Sequence, residues 1–206
     1  MKNIFIIRHG ETDLNRNGIV QGSGVDTHLN EFGRHQAQAF FKRYQHHPFE
    51  VVLTSALRRT HQTVGNFIDL GLPWEQWPEL NEISWGHHEG KTSTPAMHKE
   101  YANMTNHWKA GNYHARIDGG ESAQDLADRI QTFVQHLRNR PEKEILICSH
   151  GRAMRCLMCV LKELPLHQMD SFKHANTGLY KAIYDGTAFH FELENSLSHL
   201  EFTTSV

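Results

Sequence analysis

The 206-residue sequence predicts an α/β fold, a three-layer, open, mostly parallel sheet flanked by helices. Three observations carry that expectation. Two short apolar runs, residues 4–7 and 145–148, each lead into a histidine followed by glycine, as Arg8-His9-Gly10 and Ser149-His150-Gly151. A third run, 51–53, passes into Thr54-Ser55, and amphipathic stretches between the runs give a β-α-β-α rhythm. An open α/β sheet delivers side chains to the crevice at its strand ends, so both histidines should meet at one site.

The first strand is read over residues 3–8. Residues 10–30 are rich in glycine and turn formers and read as a loop over the strand ends. Asn30 is suited to cap a helix running to about His47, with Phe32, Gln36, Ala39, Phe40 and Tyr44 at roughly helical spacing, and Pro48 ends it. Residues 51–55 form the next strand, and 57–70 a helix that turns Val64, Phe67 and Ile68 inward. Gly71 and Pro73 break that helix. Residues 74–118 show no clean period but contain Trp77, Trp85, Tyr101, Trp108 and Tyr113 together with Lys91, Lys99, Lys109 and Arg116. So many large aromatics argue for packing, and the segment is expected to be a partly helical lid that sets substrate specificity. Gly119-Gly120 leads into a helix over 121–139 with Leu126, Ile130, Phe133, Val134 and Leu137 on one face. After the strand ending at His150 come a helix over 151–161 and a hairpin of 179–184 with 188–193 around Asp185-Gly186-Thr187. The whole, residues 1–206, is expected to be one domain.

Composition excludes some functions. The 21 Lys and Arg nearly balance 23 Asp and Glu without long runs of either sign, so neither nucleic acid nor an anionic membrane is an expected partner. No stretch approaches the roughly 20 apolar residues of a membrane span, and no leader precedes the first strand, which points to a cytoplasmic protein. Cys148, Cys156 and Cys159 do not form a disulfide framework, and the last two, at helical spacing, read as core residues. Seventeen histidines raise a metal hypothesis, but there is no His-Glu-x-x-His, and the doublets His46-His47 and His87-His88 lack the spacing that aims two helical rings at one ion. Most of these histidines are expected at the surface.

The chemistry concentrates at the strand ends. Converging strands would gather Arg8, His9, His150 and an arginine just past the 51–55 strand. Arg58 is taken for that role and Arg59 for a surface ion pair. Arginine forks match phosphoryl oxygens, and neutral imidazole is a nucleophile.

Arg8-His9-Gly10-Glu11-Thr12 with Asn15, then Gln21-Gly22, Asp26, Leu29, Gly33, Gln36-Ala37, Ser55 with Leu57 and Arg58, Leu80 and Glu82, Gly86 with Glu89-Gly90, Gly119-Gly120-Glu121-Ser122 and Ser149-His150-Gly151 occur in an order that resembles the histidine phosphatase superfamily, also called phosphoglycerate mutase-like. The resemblance runs from Arg8 to about Asn176. It implies a phosphohistidine on His9, with Arg8, Arg58, Asn15 and His150 on the phosphoryl oxygens and Glu82 as general acid and base. Gln21, Gly22 and the Gly151 amide would join the phosphate or substrate contacts. No metal or other cofactor is implied. Within such a family, Ile19-Val20-Gln21-Gly22-Ser23 and Glu82-Ile83-Ser84-Trp85-Gly86 depart from the segments of cofactor-dependent phosphoglycerate mutases. The expectation is therefore a phosphomonoesterase acting on a small phosphorylated metabolite. A mutase-type phosphotransferase stands second, with lid cations on a further anionic group. A catalytically silent phospholigand-binding module stands third, disfavoured because the catalytic set is complete.

Overall fold

A computed structural model describes residues 1–201. In chain order its elements are β1 (Lys2–Arg8), α1 (Asp13–Arg16), α2 (Glu31–Tyr44), β2 (Val51–Thr54), α3 (Arg58–Asp69), β3 (Trp74–Gln76), α4 (Pro95–Lys109), α5 (Ala123–Asn139), β4 (Glu144–Ser149), α6 (Gly151–Leu161), β5 (Leu179–Tyr184) and β6 (Phe189–Ser196). Short 3-10 turns cover Pro78–Leu80, Gly86–His88 and Leu166–Ser171.

The six strands form one open sheet in the order β3-β2-β4-β1-β5-β6. The four on the β3 side run parallel, and β5 and β6 close the other side antiparallel. Strand β1 is covered on both faces, which is why its sequence is continuously apolar rather than alternating. Ile4 and Ile6 face one way with Leu53 and Ile147, against Ile130 and Phe133 of α5 and Leu157 of α6. Phe5 and Ile7 face the other way with Val52 and Leu146, against Phe40 of α2 and Val64 and Phe67 of α3. These faces give the three layers.

Helix α2 starts where Asn30 accepts from the Gly33 amide at 2.8 Å, and α5 starts in a capping box between Ser122 and Asp125. Phe32, expected among the inward residues of α2, is instead 49% exposed, one position off the buried stripe of Gly33, Gln36, Ala37 and Phe40. The 10–30 loop contains one short helix, α1. The segment read as a lid begins with a strand: β3 pairs with β2 at the sheet edge, and Trp74 Nε1 donates to Thr54 Oγ1 at 2.9 Å. Its two end residues are exposed, so no apolar run marks it. The same segment then carries α4. No helix among the described residues is long and apolar enough to cross a membrane.

Candidate active site

Register builds the site. Arg8 of β1 stands opposite Ser149 of β4, so His9 and His150 leave adjacent parallel strands together, with the His9 amide donating to Ser149 O at 3.0 Å. On the far side of β4, Thr54 stands opposite Cys148, which brings Ser55 to the same edge. The two imidazoles lie 5.1 Å apart between ring centroids, and both are buried.

Each ring has an assigned tautomer from its neighbours. His9 Nδ1 is 2.7 Å from Gly10 O; a carbonyl only accepts, so Nδ1–H donates and Nε2 keeps its lone pair. Burial, reinforced by Arg8 and Arg59, holds His9 well below the usual histidine value, which keeps the ring neutral. His150 Nδ1 accepts from Arg59 Nε at 3.1 Å, leaving Nε2–H to donate to Ser55 Oγ at 2.8 Å. Burial and then Arg59 depress this ring as well.

The arginine assignment from sequence is corrected here. Arg58 points outward, 58% exposed at its side chain, with Nε 3.1 Å from Asp26 Oδ2 and Nη1 3.1 Å from His28 Nε2. Arg59 is the arginine of the pocket: fully buried, it binds His150 and donates to Val25 O at 2.6 Å and Gly22 O at 3.2 Å. The cause is helical phase. Leu57 is the N-cap of α3, so Arg58 and Arg59 are its first two residues, turned about 100° apart. The surface ion pair expected of Arg59 belongs to Arg58.

Arg8 donates through Nη1 to His174 O at 2.7 Å, while its buried Nε has no hydrogen-bond partner among the described residues. Burial lowers this guanidinium to about 10, opposed by Glu82 and assisted by Arg59. A buried donor of this kind suits an anion. His174 itself is pushed down to about 3 by burial and then by Arg8. A Cβ on Gly151 would come within 3.1 Å of His174 Nδ1 and 3.5 Å of Arg8 Nε, so glycine lets the start of α6 approach these groups.

Glu82 is buried at that same helix start. Its carboxylate accepts from the amides of Arg152 at 3.1 Å, Ala153 at 2.9 Å and Ile83 at 3.0 Å. Thus Glu82 takes two first-turn amides of α6. Arg129 fixes the segment bearing Glu82 by donating to the carbonyls of Glu79, Asn81 and Glu82, while Glu121 grips the same guanidinium through both oxygens.

The remaining expected residues surround this centre. Asn15 Oδ1 is committed to the capping box with Thr12 and accepts from Asn176 Nδ2 at 3.4 Å, and Asn176 also donates to His9 O at 2.9 Å. Gln21 bridges Thr12 Oγ1 at 2.6 Å and Thr27 Oγ1 at 2.7 Å. Gly22 supplies its carbonyl to Arg59 and lies under Glu89, whose Oε1 would be 2.0 Å from a Cβ there. Sequence reading missed His174 and the roles of Asn176, Arg129 and Arg152. Arg152 is buried, bound to Asp170 at 2.9 Å and surrounded by the rings of Trp85, Tyr101 and Trp108. A cavity of about 310 Å³ adjoins this cluster, lined by Val20, Gln21, Trp85, Met97, His98 and Tyr101 among others.

One of the two histidine doublets departs from the expectation. His87 and His88 do converge, both reaching Glu100, because they sit on a 3-10 turn rather than an α-helix. Most of the other histidines do lie exposed, as expected; besides His9 and His150 at the site, only His88 and His199 are buried among the described residues.

An α/β sheet whose strand ends gather two neutral histidines, a buried and a half-buried arginine and a buried carboxylate defines an anion-handling enzyme site. The chain belongs to the histidine phosphatase superfamily (branch 1), whose family model matches residues 4–196. It is 31% identical over 189 residues to "Probable phosphoglycerate mutase GpmB" of Yersinia pestis, covering 89% of this chain and 86% of that protein. Against 6-phosphofructo-2-kinase/fructose-2,6-bisphosphatase 1 of Mus musculus it is 35% identical over 159 residues, which are 76% of this chain but only 32% of the relative. Among solved structures, the alpha-ribazole phosphatase from Shigella flexneri superposes with a TM-score of 0.83 at 28% identity, covering 95% of this chain and 96% of that one.

Proposed function

We propose that this protein hydrolyses small phosphomonoesters through a phosphohistidine on His9. The observation that carries the reading is the neutral His9 ring, its Nδ1–H pinned to Gly10 O and its Nε2 lone pair free, beside the guanidiniums of Arg8 and Arg59. Nε2 attacks phosphorus while the ester P–O bond breaks, and the arginines hold the phosphoryl oxygens as charge redistributes. Such catalysis is positioning and electrostatics, and the reading needs no metal. Glu82 gives its proton to the leaving oxygen, then takes one from the water that attacks the phosphohistidine, releasing inorganic phosphate and the free ring. The amides of Ile83 and Ala153 occupy Oε1 and that of Arg152 takes one site on Oε2, which leaves the second site on Oε2 to carry the proton. Asn15 contributes its amide nitrogen, Gln21 and Gly22 shape the pocket wall, and His150 orients Arg59 until phosphate competes for its ring. The Trp85 and Tyr101 cavity accommodates the organic part of the ester, favouring an uncharged, partly apolar leaving group.

Brief exposure to a labelled phosphomonoester should leave acid-labile, base-stable phosphate on His9, and vanadate should inhibit, while excess chelator should not abolish turnover. Label elsewhere, or turnover surviving His9→Ala, rejects the nucleophile. The resemblance to a protein named as a phosphoglycerate mutase supports a second reading, phosphoryl transfer between two positions of one substrate. Isomerisation of monophosphoglycerates faster than their hydrolysis would put that reading first.

A further inference from the structure

The segment between Glu82 and α5 contains a cluster that holds none of the groups assigned to the reacting phosphoryl, although one member, His88, also lines the 310 Å³ cavity. His87 Nε2 lies 3.2 Å and His88 Nε2 2.8 Å from Glu100 Oε2, and one ligand atom from each of the three residues falls within 4.8 Å of the others. We propose that His87, His88 and Glu100 bind a zinc-class divalent cation that fastens α4 to the Gly86–His88 turn. The proposal stands independently of the reaction assigned to His9.

Hydrogen bonding supplies the first argument. His87 Nδ1 is 3.3 Å from the carbonyl oxygen of Asp118, which only accepts, so Nδ1 carries the hydrogen. In the neutral ring Nε2 then holds a lone pair directed at a carboxylate oxygen, acceptor against acceptor. A cation between them removes that conflict. An imidazole with one nitrogen donating to a backbone carbonyl and the other free is the usual state of a metal-ligating histidine.

The second argument is preorganisation. The two rings stand nearly perpendicular, at 88° with centroids 4.7 Å apart, so each presents its own Nε2. The turn is anchored by the His87 amide on Asp118 O and the His88 amide on Trp85 O, both at 3.2 Å. Gly86 adopts φ +54, and a Cβ there would lie 2.0 Å from Asp118 O, so the turn is packed directly on the 118–120 backbone. Glu100 comes from the middle of α4.

Donor chemistry selects the ion. Two imidazole nitrogens and one carboxylate oxygen suit zinc and its late first-row neighbours, whereas calcium and magnesium require mostly oxygen ligands. His88 is buried while His87 and Glu100 are half exposed, so water can complete the coordination. Next to Glu100, Tyr101 contacts Arg152, and Tyr101 also lines the 310 Å³ cavity, so the ion would set the position of that wall.

The test is Zn²⁺ binding to the metal-stripped full chain by calorimetry, with Co²⁺ as a spectroscopic probe, in wild type, His87→Gln and Glu100→Gln. One tight site is expected in wild type and should weaken at least about ten-fold in each variant, with loss of the visible Co²⁺ ligand-field bands. Zn²⁺ should raise the melting temperature of wild type alone. Equal melting temperatures without metal would confirm that the variants fold, and His87→Asn is the replacement should His87→Gln fail. Affinities equal across the three proteins would mean adventitious binding at other histidines and overturn the site. So would the absence of a tight site in wild type, which would make the cluster an imidazolium–carboxylate pair.

Discussion

At the residue scale, neighbouring arginines have opposite fates. Arg59 is buried against His150, and Arg58 is paired with Asp26 in solvent. Arg59→Ala should lower kcat/KM on p-nitrophenyl phosphate by about 10² to 10³, the usual cost of removing a transition-state donor. Arg58→Ala should stay within about three-fold. The reverse order would restore Arg58 to the pocket. Glu82 invites a subtler comparison. If it protonates the leaving oxygen, Glu82→Gln should slow single-turnover phosphorylation severely with an alkyl phosphate, whose alkoxide needs the proton, and far less with the nitrophenyl ester. Equal losses with both esters would leave Glu82 as a cap on α6, the role its contacts with the Arg152 and Ala153 amides already describe. Much of this site was legible beforehand because Arg8, His9 and His150 terminate apolar strands, a position with a recognisable pattern. The Arg58/Arg59 choice was not, since it depends on which residue caps α3, and Leu57 makes no side-chain cap that a sequence could advertise. His174 and Asn176 arrive from a loop before β5 and carry no periodic signal.

At the element scale, legibility followed burial. Strands β1, β2 and β4 are apolar because both faces are covered, and α2 announces itself through its cap Asn30 and α5 through the apolar face of Leu126, Ile130, Phe133, Val134 and Leu137. Edge strand β3 lacks that covering. Helix α4 does have a helical face, Tyr101, Met104, Thr105 and Trp108 at i, i+3, i+4 and i+7, but the aromatics on either side of it obscure the period. Thr94 accepting from the Met97 amide, with Pro95 in the first turn, was the available signal. The first turn of α2 also holds the loop that leaves His9. A Cβ on Gly33 would be 2.1 Å from Glu11 O and 2.7 Å from Glu11 N, and Gln36 Oε1 accepts from the Glu11 amide at 2.9 Å. Gly33→Ala should therefore cost roughly 1–3 kcal/mol in denaturant unfolding and displace the residue next to Gly10, lowering kcat as well. Unchanged stability would show that the loop yields freely, contrary to the packing.

At the scale of the whole molecule, the fold keeps several histidines neutral at once. Burial depresses His9 and His150 well below the usual value near 6.5, takes His174 to about 3 and takes His199, packed edge-on to Phe40, to about 4. Because these values are lower in the folded state, the unfolded chain binds more protons as pH falls below about 6.5, and stability falls with it. The contribution is fully present above the unfolded value and is lost toward the folded ones. Each such histidine adds at most about 1.4 kcal/mol per pH unit to the slope. Salt-bridged carboxylates such as Glu75 and Glu142, lowered first by hydrogen bonds from Arg140, lose stability in the same direction but only from about pH 4.5 downward. The window between about pH 6.5 and 5 therefore isolates the histidines. Urea midpoints should decline across it, and His199→Gln, which retains a donor near Thr177 Oγ1 without a titrating ring, should have a shallower slope than wild type. A wild-type stability that is flat from pH 7.5 to 5 would mean that these rings are not held neutral by the fold, and the same result would remove the physical basis for a neutral His9 nucleophile.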